Sequence, residues 1–389
     1  MKRFKKFILV EAAKEKFPVN KGHAYEFVLA AAMVARFIDR DEEGGPFKLE
    51  SSSVNSVMTE YFKGYVKWEI EEGDGIDRVE FVGTGLPPGV LAVLSVKKWR
   101  DSKTVQKMVD KAISAVNDNS TLTDLSTEVI NNGVPDTVVV KCGGTTGQMS
   151  TKSDVDLYVN NNEIRKAGFS VKYGGVGQVA QWAGVDLAKN IDDGFFSFGM
   201  SVREMLGPVK AAFQDPNFLG VYKTRKDPQV EKDKAIIFGA VRGVFTKIGR
   251  KFKETWFDDP KNVVNLTTGL LKAAKGKEED VELVQNGFTY NKVTFDALAR
   301  GISNSARDSK TNIRWLVIVE DGNPKVQLWI DNIKIFQVRC RYDADPDKTK
   351  SFYKVRFRLY VELDHGAIEV VKKVRALERM IKTPKRGRR

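Results

Sequence analysis

One short stretch holds the residues of this chain that are best suited to chemistry, two aspartates and a lysine. The stretch SDVDLYVNNNEIRKAGFSVKYGG, residues 153–175, places Asp156 two positions after Asp154 and Lys172 eighteen positions after Asp154. Side chains two apart in a strand share a face and lie about 7 Å apart. The polar turn NNNE predicts a hairpin, which would bring Lys172 back beside Asp154.

This set of side chains predicts chemistry on phosphate groups. Two carboxylates bind one or two Mg²⁺ (or Mn²⁺) ions, which polarise a phosphate and lower the pKa of a bound water. A neighbouring lysine orients that water or stabilises the charge that develops. The spacing of the aspartates and the lysine therefore suits hydrolysis of a phosphodiester bond.

The hydrophobic pattern predicts the elements that would position these residues. Apolar residues at three- and four-residue spacing predict a helix over residues 21–40. A β-branched run predicts a strand over 136–144, followed by the two strands of the hairpin. A helix is expected to begin at about residue 178, and the alternating run over 90–99 predicts a further strand.

Composition limits the class of protein and the kind of site. The chain has 389 residues with two cysteines and two histidines, which argues against zinc sites, disulfide frameworks and most histidine-based acid/base chemistry. Because no stretch approaches the roughly 20 apolar residues of a membrane span and no signal peptide is indicated, we expect a cytoplasmic protein without a membrane partner. The net charge of +13 favours a polyanionic partner.

An aspartate at the start of one strand and a lysine on the next resemble the motif of the PD-(D/E)XK, or restriction-endonuclease-like, nuclease superfamily. The resemblance matches Asp154 to the first acidic position of the family and Lys172 to its lysine. Ser170 stands where the family usually has an acidic residue, which leaves the metal short of one ligand. Asp156 is the nearest carboxylate that could compensate.

The same resemblance implies two supporting residues. Glu26, on the predicted N-terminal helix, matches a glutamate that many of these nucleases carry on their first core helix. Its plain structural alternative is an exposed glutamate on a helix face. Gln178 matches the polar residue that often opens the helix after the lysine, and its alternative is an ordinary helix-start glutamine.

The resemblance implies an α/β fold with a restriction-endonuclease-like core, which is a mixed central sheet flanked by helices. It also implies a Mg²⁺-dependent DNA endonuclease in which Asp154, Asp156 and Glu26 bind metal, while Lys172 and Gln178 complete the catalytic set. The hydrophobic pattern adds helical insertions and a C-terminal antiparallel β-rich region.

Four regions are expected along the chain. Residues 1–135 form a helical and β region that contributes to the core, and residues 136–195 form the catalytic hairpin and the helix that follows it. Residues 196–305 form a helical region. Residues 306–389 form an antiparallel β region with a C-terminal helix and a basic tail.

Other functions fit parts of the same stretch. CGGTTGQMSTKSDVDLYV is similar to the nucleotidyltransferase signature, in which Gly143 and Gly144 would hold a triphosphate while Asp154 and Asp156 bind two metal ions. The segment between them is short and poor in helix formers. A non-catalytic DNA-binding protein on a nuclease scaffold is another alternative. The plainest alternative is a surface hairpin with solvated aspartates, one of them paired with the lysine.

Four arginines on two strands predict the surface that binds DNA. Arg339 and Arg341 share a face of FQVRCRY, and Arg356 and Arg358 share a face of YKVRFRLY. If these strands pair, the arginines form one basic face suited to phosphates and guanine edges. The sequence leaves open whether the chain acts as a homodimer, and whether a virus or a mobile element encodes it.

Overall fold

The fold is taken from a computed structural model, which describes most of the chain in separate ranges. The described residues are 17–39, 48–72, 75–131, 136–143, 153–160, 165–174, 177–183, 202–251, 281–308, 310–318, 324–346 and 352–382.

Within these ranges the protein is mixed α/β. The helices are α1 (Lys21–Ile38), α2 (Ser51–Phe62), α3 (Pro88–Ser95), α4 (Lys97–Arg100), α5 (Lys103–Asn117), α6 (Ser120–Asn131), α7 (Val202–Phe213), α8 (Pro228–Lys251), α9 (Lys292–Arg307) and α10 (His365–Lys382). The strands are β1 (Lys67–Glu72), β2 (Gly75–Val82), β3 (Thr137–Cys142), β4 (Val155–Val159), β5 (Arg165–Lys172), β6 (Gly177–Ala183), β7 (Val221–Tyr222), β8 (Val281–Gln285), β9 (Phe288–Tyr290), β10 (Ile313–Ile318), β11 (Lys325–Ile330), β12 (Ile333–Pro346) and β13 (Tyr353–Leu363).

The first sheet is mixed and, among the described residues, has seven strands in the order β1-β2-β3-β4-β5-β8-β9. Its middle is a three-stranded meander formed by the predicted strands, because β3, β4 and β5 pair antiparallel in chain order. Parallel pairs flank the meander on both sides, β2 with β3 and β5 with β8. The mixed sheet expected from the sequence is therefore present.

The second sheet contains four antiparallel strands from the β-rich region predicted near the C-terminus. β10, β11, β12 and β13 pair in chain order, and β6 adds to the far side of β13. The short strand β7 also pairs with β13. α10 follows this sheet, as the pattern predicted.

Helix α1 is central to the first hydrophobic core. Its cap is Asn20, whose side chain accepts a hydrogen bond from Gly22 N–H at 2.8 Å. Every residue from Ala24 to Phe37 is buried, because a helix that is apolar on nearly all sides must be covered on all of them. α2, α5 and the strands β2 to β5 pack around it.

Strand β8 separates the first core from a second one. Val284 packs in the first core and its neighbour Leu283 in the second, because successive residues of a strand face opposite sides. The second core is built mainly from β11, β12, β13, α8, α9 and α10. The two cores thus lie on opposite faces of the first sheet at β8.

Two sequence expectations about elements are wrong, and a third region contains strands that were not expected. Residues 177–183 form the strand β6 rather than the start of a helix, because they pair with distant β13. Residues 90–99 lie in α3 and α4, since Pro88 at the first helical position favours a helix start. The region 196–305 includes β7, β8 and β9, and the last two complete the first sheet.

None of the described helices combines the length and the apolar character that crossing a bilayer requires.

Candidate active site

The structure brings Asp154 and Lys172 into contact. Asp154 directly precedes β4, and Lys172 is the last residue of β5. These strands pair antiparallel with Val155 opposite Phe169, so the end of one lies beside the start of the other. Lys172 Nζ lies 3.3 Å from Asp154 Oδ2, as the hairpin predicted. The turn itself, at 161–164, lies outside the described residues.

The backbone of β5 fixes the carboxylate of Asp154. Its Oδ2 atom accepts a hydrogen bond from Val171 N–H at 2.6 Å and a longer one from the Ser170 hydroxyl at 3.4 Å. Asp154 is 5% exposed. Ser170, at the position where an acid was expected, therefore donates to the first aspartate.

Glu26 of α1 faces this pair. The glutamate is 5% exposed, and His23 Nδ1 lies 3.2 Å from its Oε1. Burial raises the pKa of Glu26 from 4.5 to about 7, with a further contribution from the charge of Asp154. His23 and Lys172 act in the opposite direction. Glu26 is thus close enough to interact electrostatically with both members of the hairpin pair, and it is not the exposed helix residue of the alternative reading.

Asp156 is buried beside the same strands. The Ser153 hydroxyl donates to its Oδ1 at 2.6 Å. Its charge, like that of Glu26, adds to the effect of burial in raising the pKa of the Cys142 thiol, so both carboxylates lie near Cys142. The Cys142 thiol also lies 3.9 Å from the Glu26 backbone carbonyl.

Burial excludes the plainest alternative for the hairpin. Asp154 and Asp156 are 5% and 6% exposed, so their carboxylates are not solvated surface groups. Burying two like charges close together is unfavourable unless a cation compensates. Lys172 supplies one positive charge at this position, and its own side chain is 30% exposed.

Gln178 does not open a helix. It lies in β6 opposite Glu362 of β13, within the second sheet. The structure describes its backbone but not its side chain. The expected position at the start of a helix is therefore wrong, while the catalytic role that the resemblance implies for Gln178 stays a prediction.

The residues available for a metal are oxygen donors, as Mg²⁺ prefers. Asp154 Oδ1 accepts no hydrogen bond from the part of the chain that the structure describes, and Glu26 stands beside it with a carboxyl that is hard to ionise. A cation there would relieve the repulsion between these two groups. Among the described residues no three His, Cys, Asp or Glu side chains form a metal-binding group, so water and substrate phosphate would complete the coordination.

The geometry gives little support to the nucleotidyltransferase alternative, in which Gly143 and Gly144 would hold a triphosphate. Gly144 lies outside the described residues. Gly143 N–H donates to the Asp154 carbonyl at 2.8 Å, so this amide is already engaged inside the sheet. It is not turned toward a triphosphate.

The strand pairing puts the four predicted arginine positions on one face, but one of these arginines is engaged in an ion pair. β12 and β13 pair with Arg341 opposite Arg358 and with Arg356 opposite Asp343, so the four arginine positions share one face. Arg339, however, is bound to Glu362, with Nη2 to Oε1 at 2.7 Å and Nε to Oε2 at 2.9 Å. Its positive charge is therefore compensated within the sheet, so the predicted contact of Arg339 with DNA would compete with this ion pair.

Sequence reasoning missed two neighbours of the site. His23 was noted only as one of two histidines, although its spacing of three from Glu26 on a helix predicts contact. Asn286 accepts from Gly174 N–H at 3.1 Å, and its own N–H donates to the Lys172 carbonyl at 3.3 Å. No local pattern could have indicated Asn286, because it lies more than a hundred residues from Gly174 in the chain.

Comparison of the chain with protein-family models, with curated proteins and with solved structures found no match. The function must therefore be inferred from the geometry of the site.

Proposed function

We propose that this protein is a Mg²⁺-dependent DNA endonuclease with a restriction-endonuclease-like core. The observation that carries the proposal is the contact between Lys172 Nζ and Asp154 Oδ2 at 3.3 Å, beside the raised-pKa carboxyl of Glu26. Carboxyl groups with perturbed pKa values cluster at functional sites, and carboxylates that bind Mg²⁺ support chemistry on phosphates.

Each residue has a role that its contacts support. Asp154 and Glu26 would hold the metal ion, with Asp156 as the nearest further carboxylate. A bound Mg²⁺ would polarise the phosphodiester and lower the pKa of a water molecule. Lys172 is half-buried with its ammonium at the carboxylate, so it can orient that water or stabilise charge on the phosphate.

The net charge of +13 supports a nucleic-acid substrate. Arg341 remains a candidate DNA contact on the second sheet. Its guanidinium carbon lies 6.0 Å from the centre of the Tyr360 ring, while Arg339 lies 5.0 Å from the same ring and is paired with Glu362.

The test is incubation of supercoiled plasmid with the purified protein and with Lys172→Ala, each with Mg²⁺ and with EDTA. We expect nicked or linear plasmid only with Mg²⁺ and wild-type protein. A parallel tube contains labelled nucleoside triphosphates and an acceptor, to detect transfer.

The outcomes separate the candidate functions. Intact plasmid under all conditions contradicts the endonuclease. Label transferred to the acceptor would instead establish a nucleotidyltransferase. A retarded DNA band in a gel-shift assay, without cleavage or transfer, would indicate a non-catalytic DNA-binding protein. Lys372→Ala, an exposed lysine of α10 far along the chain from the hairpin, is the matched control and should cleave as the wild type does.

A further inference from the structure

Three lysines follow one line along α5. Lys103, Lys107 and Lys111 are spaced by four residues, which places them on one side of the helix with a rise of about 6 Å between neighbours. Lys103 and Lys107 are exposed, and Lys111 is half-buried. The opposite side of α5 is apolar and packs into the first core around α1. The lysines therefore form an outward row, named here the α5 lysine row.

Among the described residues, no acidic side chain pairs with the charges of this row. None of the three lysines forms an ion pair with a residue that the structure describes, and Asp110, exposed on the same helix, pairs with none of them. Like charges at this spacing repel, and a lysine in the first helical turn opposes the helix dipole. Burial lowers the pKa of Lys111, and the charge of Lys107 lowers it further. Repulsion among these lysines destabilises the helix when no anion is bound. A bound polyanion would neutralise their charge.

The row ends at the candidate active site. Lys111 Nζ donates to Asn286 Oδ1 at 2.9 Å and lies 4.5 Å from the centre of the Tyr173 ring. Asn286 in turn donates from its N–H to the Lys172 carbonyl at 3.3 Å. One asparagine thus connects the last lysine of the row with the lysine that contacts Asp154.

The β8–β9 turn packs directly against α5. Gly287, next to Asn286 in the β8–β9 turn, has a φ of +84° in the left-handed region that favours glycine. A Cβ at this position would lie 2.9 Å from the Lys111 carbonyl oxygen, so the turn is pressed directly against α5. The position of Lys111 relative to Lys172 is therefore set by backbone packing.

We propose that the α5 lysine row binds the phosphate backbone of the nucleic acid next to the bond that is cut. The choice of nucleic acid rests on the proposed function. The row spans about 12 Å, roughly three nucleotide steps along one strand of a duplex. Charge complementarity and the position of Lys111 beside Tyr173 and Asn286 favour a strand that runs along α5 toward Lys172. The row is separate from the arginine face of the second sheet.

The test measures how salt weakens binding of a fluorescein-labelled 30-base-pair duplex in EDTA, where no metal-dependent cleavage occurs. The variant is the double substitution Lys103→Ala and Lys107→Ala. Each lost phosphate contact should reduce the slope of log affinity against log salt by about one, so the double variant should lose about two. Lys372→Ala with Lys373→Ala, two exposed lysines of α10, removes the same charge elsewhere and should leave the slope unchanged.

Both substitutions are at exposed helix positions, so they should not destabilise the protein. A change in the salt slope would therefore report on DNA binding and not on unfolding. The α5 double variant should unfold at the same urea concentration as the wild type or a slightly higher one. Lys111→Met tests the buried end of the row separately, and we expect it to raise KM for cleavage more than it lowers kcat.

The proposal that the α5 lysine row binds phosphates is contradicted by either of two results. One is an unchanged slope of log affinity against log salt in the α5 double variant. The other is an equal loss of slope in the α10 control. If wild-type protein cleaves plasmid but the slope of the α5 double variant is unchanged, only the proposal about the α5 lysine row is contradicted. The proposed endonuclease function is then still supported. A reduced slope without any cleavage in Mg²⁺ supports the row and contradicts the endonuclease. The two proposals therefore fail in distinguishable ways.

Discussion

At the scale of single residues, the shortest contact to the Asp154 carboxylate comes from the backbone of β5 and not from Lys172. Val171 N–H donates to its carboxylate at 2.6 Å, a short charge-assisted hydrogen bond. The carboxylate should therefore keep its position when Lys172 is replaced, so an effect of that substitution on cleavage would report on the lysine itself.

Contacts that follow from strand pairing could be predicted at this scale, and contacts made by chain-distant residues could not. The approach of Lys172 to Asp154 follows from a hairpin and from side-chain alternation. The engagement of Arg339 by Glu362 depends on the register between β12 and β13. Sequence alternation gives the face of each arginine but not the register.

Glu26 provides a prediction about pH and stability. Its raised pKa means that the folded protein binds this proton more tightly than the unfolded chain does. The stabilisation is complete below pH 4.5 and is lost as the pH rises through about 7. Glu26→Gln should therefore have little effect at pH 4.5 and stabilise the protein at pH 8, by up to ~3 kcal/mol.

Urea unfolding of wild type and Glu26→Gln at the two pH values measures this difference. Glu71→Gln, at an exposed position in β1, is the control for loss of a surface carboxylate and should change stability little at either pH. If the difference in unfolding free energy between Glu26→Gln and wild type were the same at both pH values, the pKa of Glu26 would not be raised by burial.

At the scale of elements, the pattern predicts α1, the strands of the meander and the C-terminal β-rich region, because each has a long and regular hydrophobic period. β6 escaped prediction because QVAQWA fits both a helix and a strand, and pairing with β13 decides between them. β8 and β9 are short strands between helices, and their place beside β5 is visible only in the folded chain.

The Arg339–Glu362 pair gives a prediction at the same scale. Glu362 is 4% exposed and also accepts from Gln337 Nε2 at 2.6 Å, so removal of Arg339 leaves a buried charge with less compensation. Arg339→Ala should destabilise the protein by about 2 to 4 kcal/mol. It should leave the salt dependence of DNA binding unchanged.

Urea unfolding tests the stability of Arg339→Ala, with Arg300→Ala as the control. Arg300 pairs with Glu378 at 2.9 Å on the surface, so its loss should cost less than about 1 kcal/mol. If Arg339→Ala were as stable as the control and weakened DNA binding, the original expectation of a free arginine would be restored.

At the scale of the whole molecule, two sheets and two hydrophobic cores place the candidate site at the ends of β4 and β5, near the N-terminal part of α1. β5 leads through Tyr173 and Gly174 toward β6 of the second sheet. Gln285 Nε2 also donates to the Leu363 carbonyl at 3.2 Å, which joins β8 to β13. The site therefore lies close to the junction of the two sheets.

The net charge gives a prediction for the whole molecule. Three phosphate contacts alone would weaken DNA binding about 40-fold when salt rises from about 50 to about 200 mM. Fluorescence anisotropy of the labelled duplex in EDTA measures this change. Affinity that does not change with salt would remove the electrostatic case for a nucleic-acid partner.

The central claim is that Lys172 and Asp154 catalyse phosphodiester hydrolysis, and the single-turnover cleavage rate of a labelled DNA duplex in Mg²⁺ tests it most directly. Lys172→Met should lower this rate by at least about 100-fold while the affinity for DNA in EDTA changes little. A Lys172→Met rate equal to that of the wild type, or no cleavage by wild-type protein, would contradict the claim.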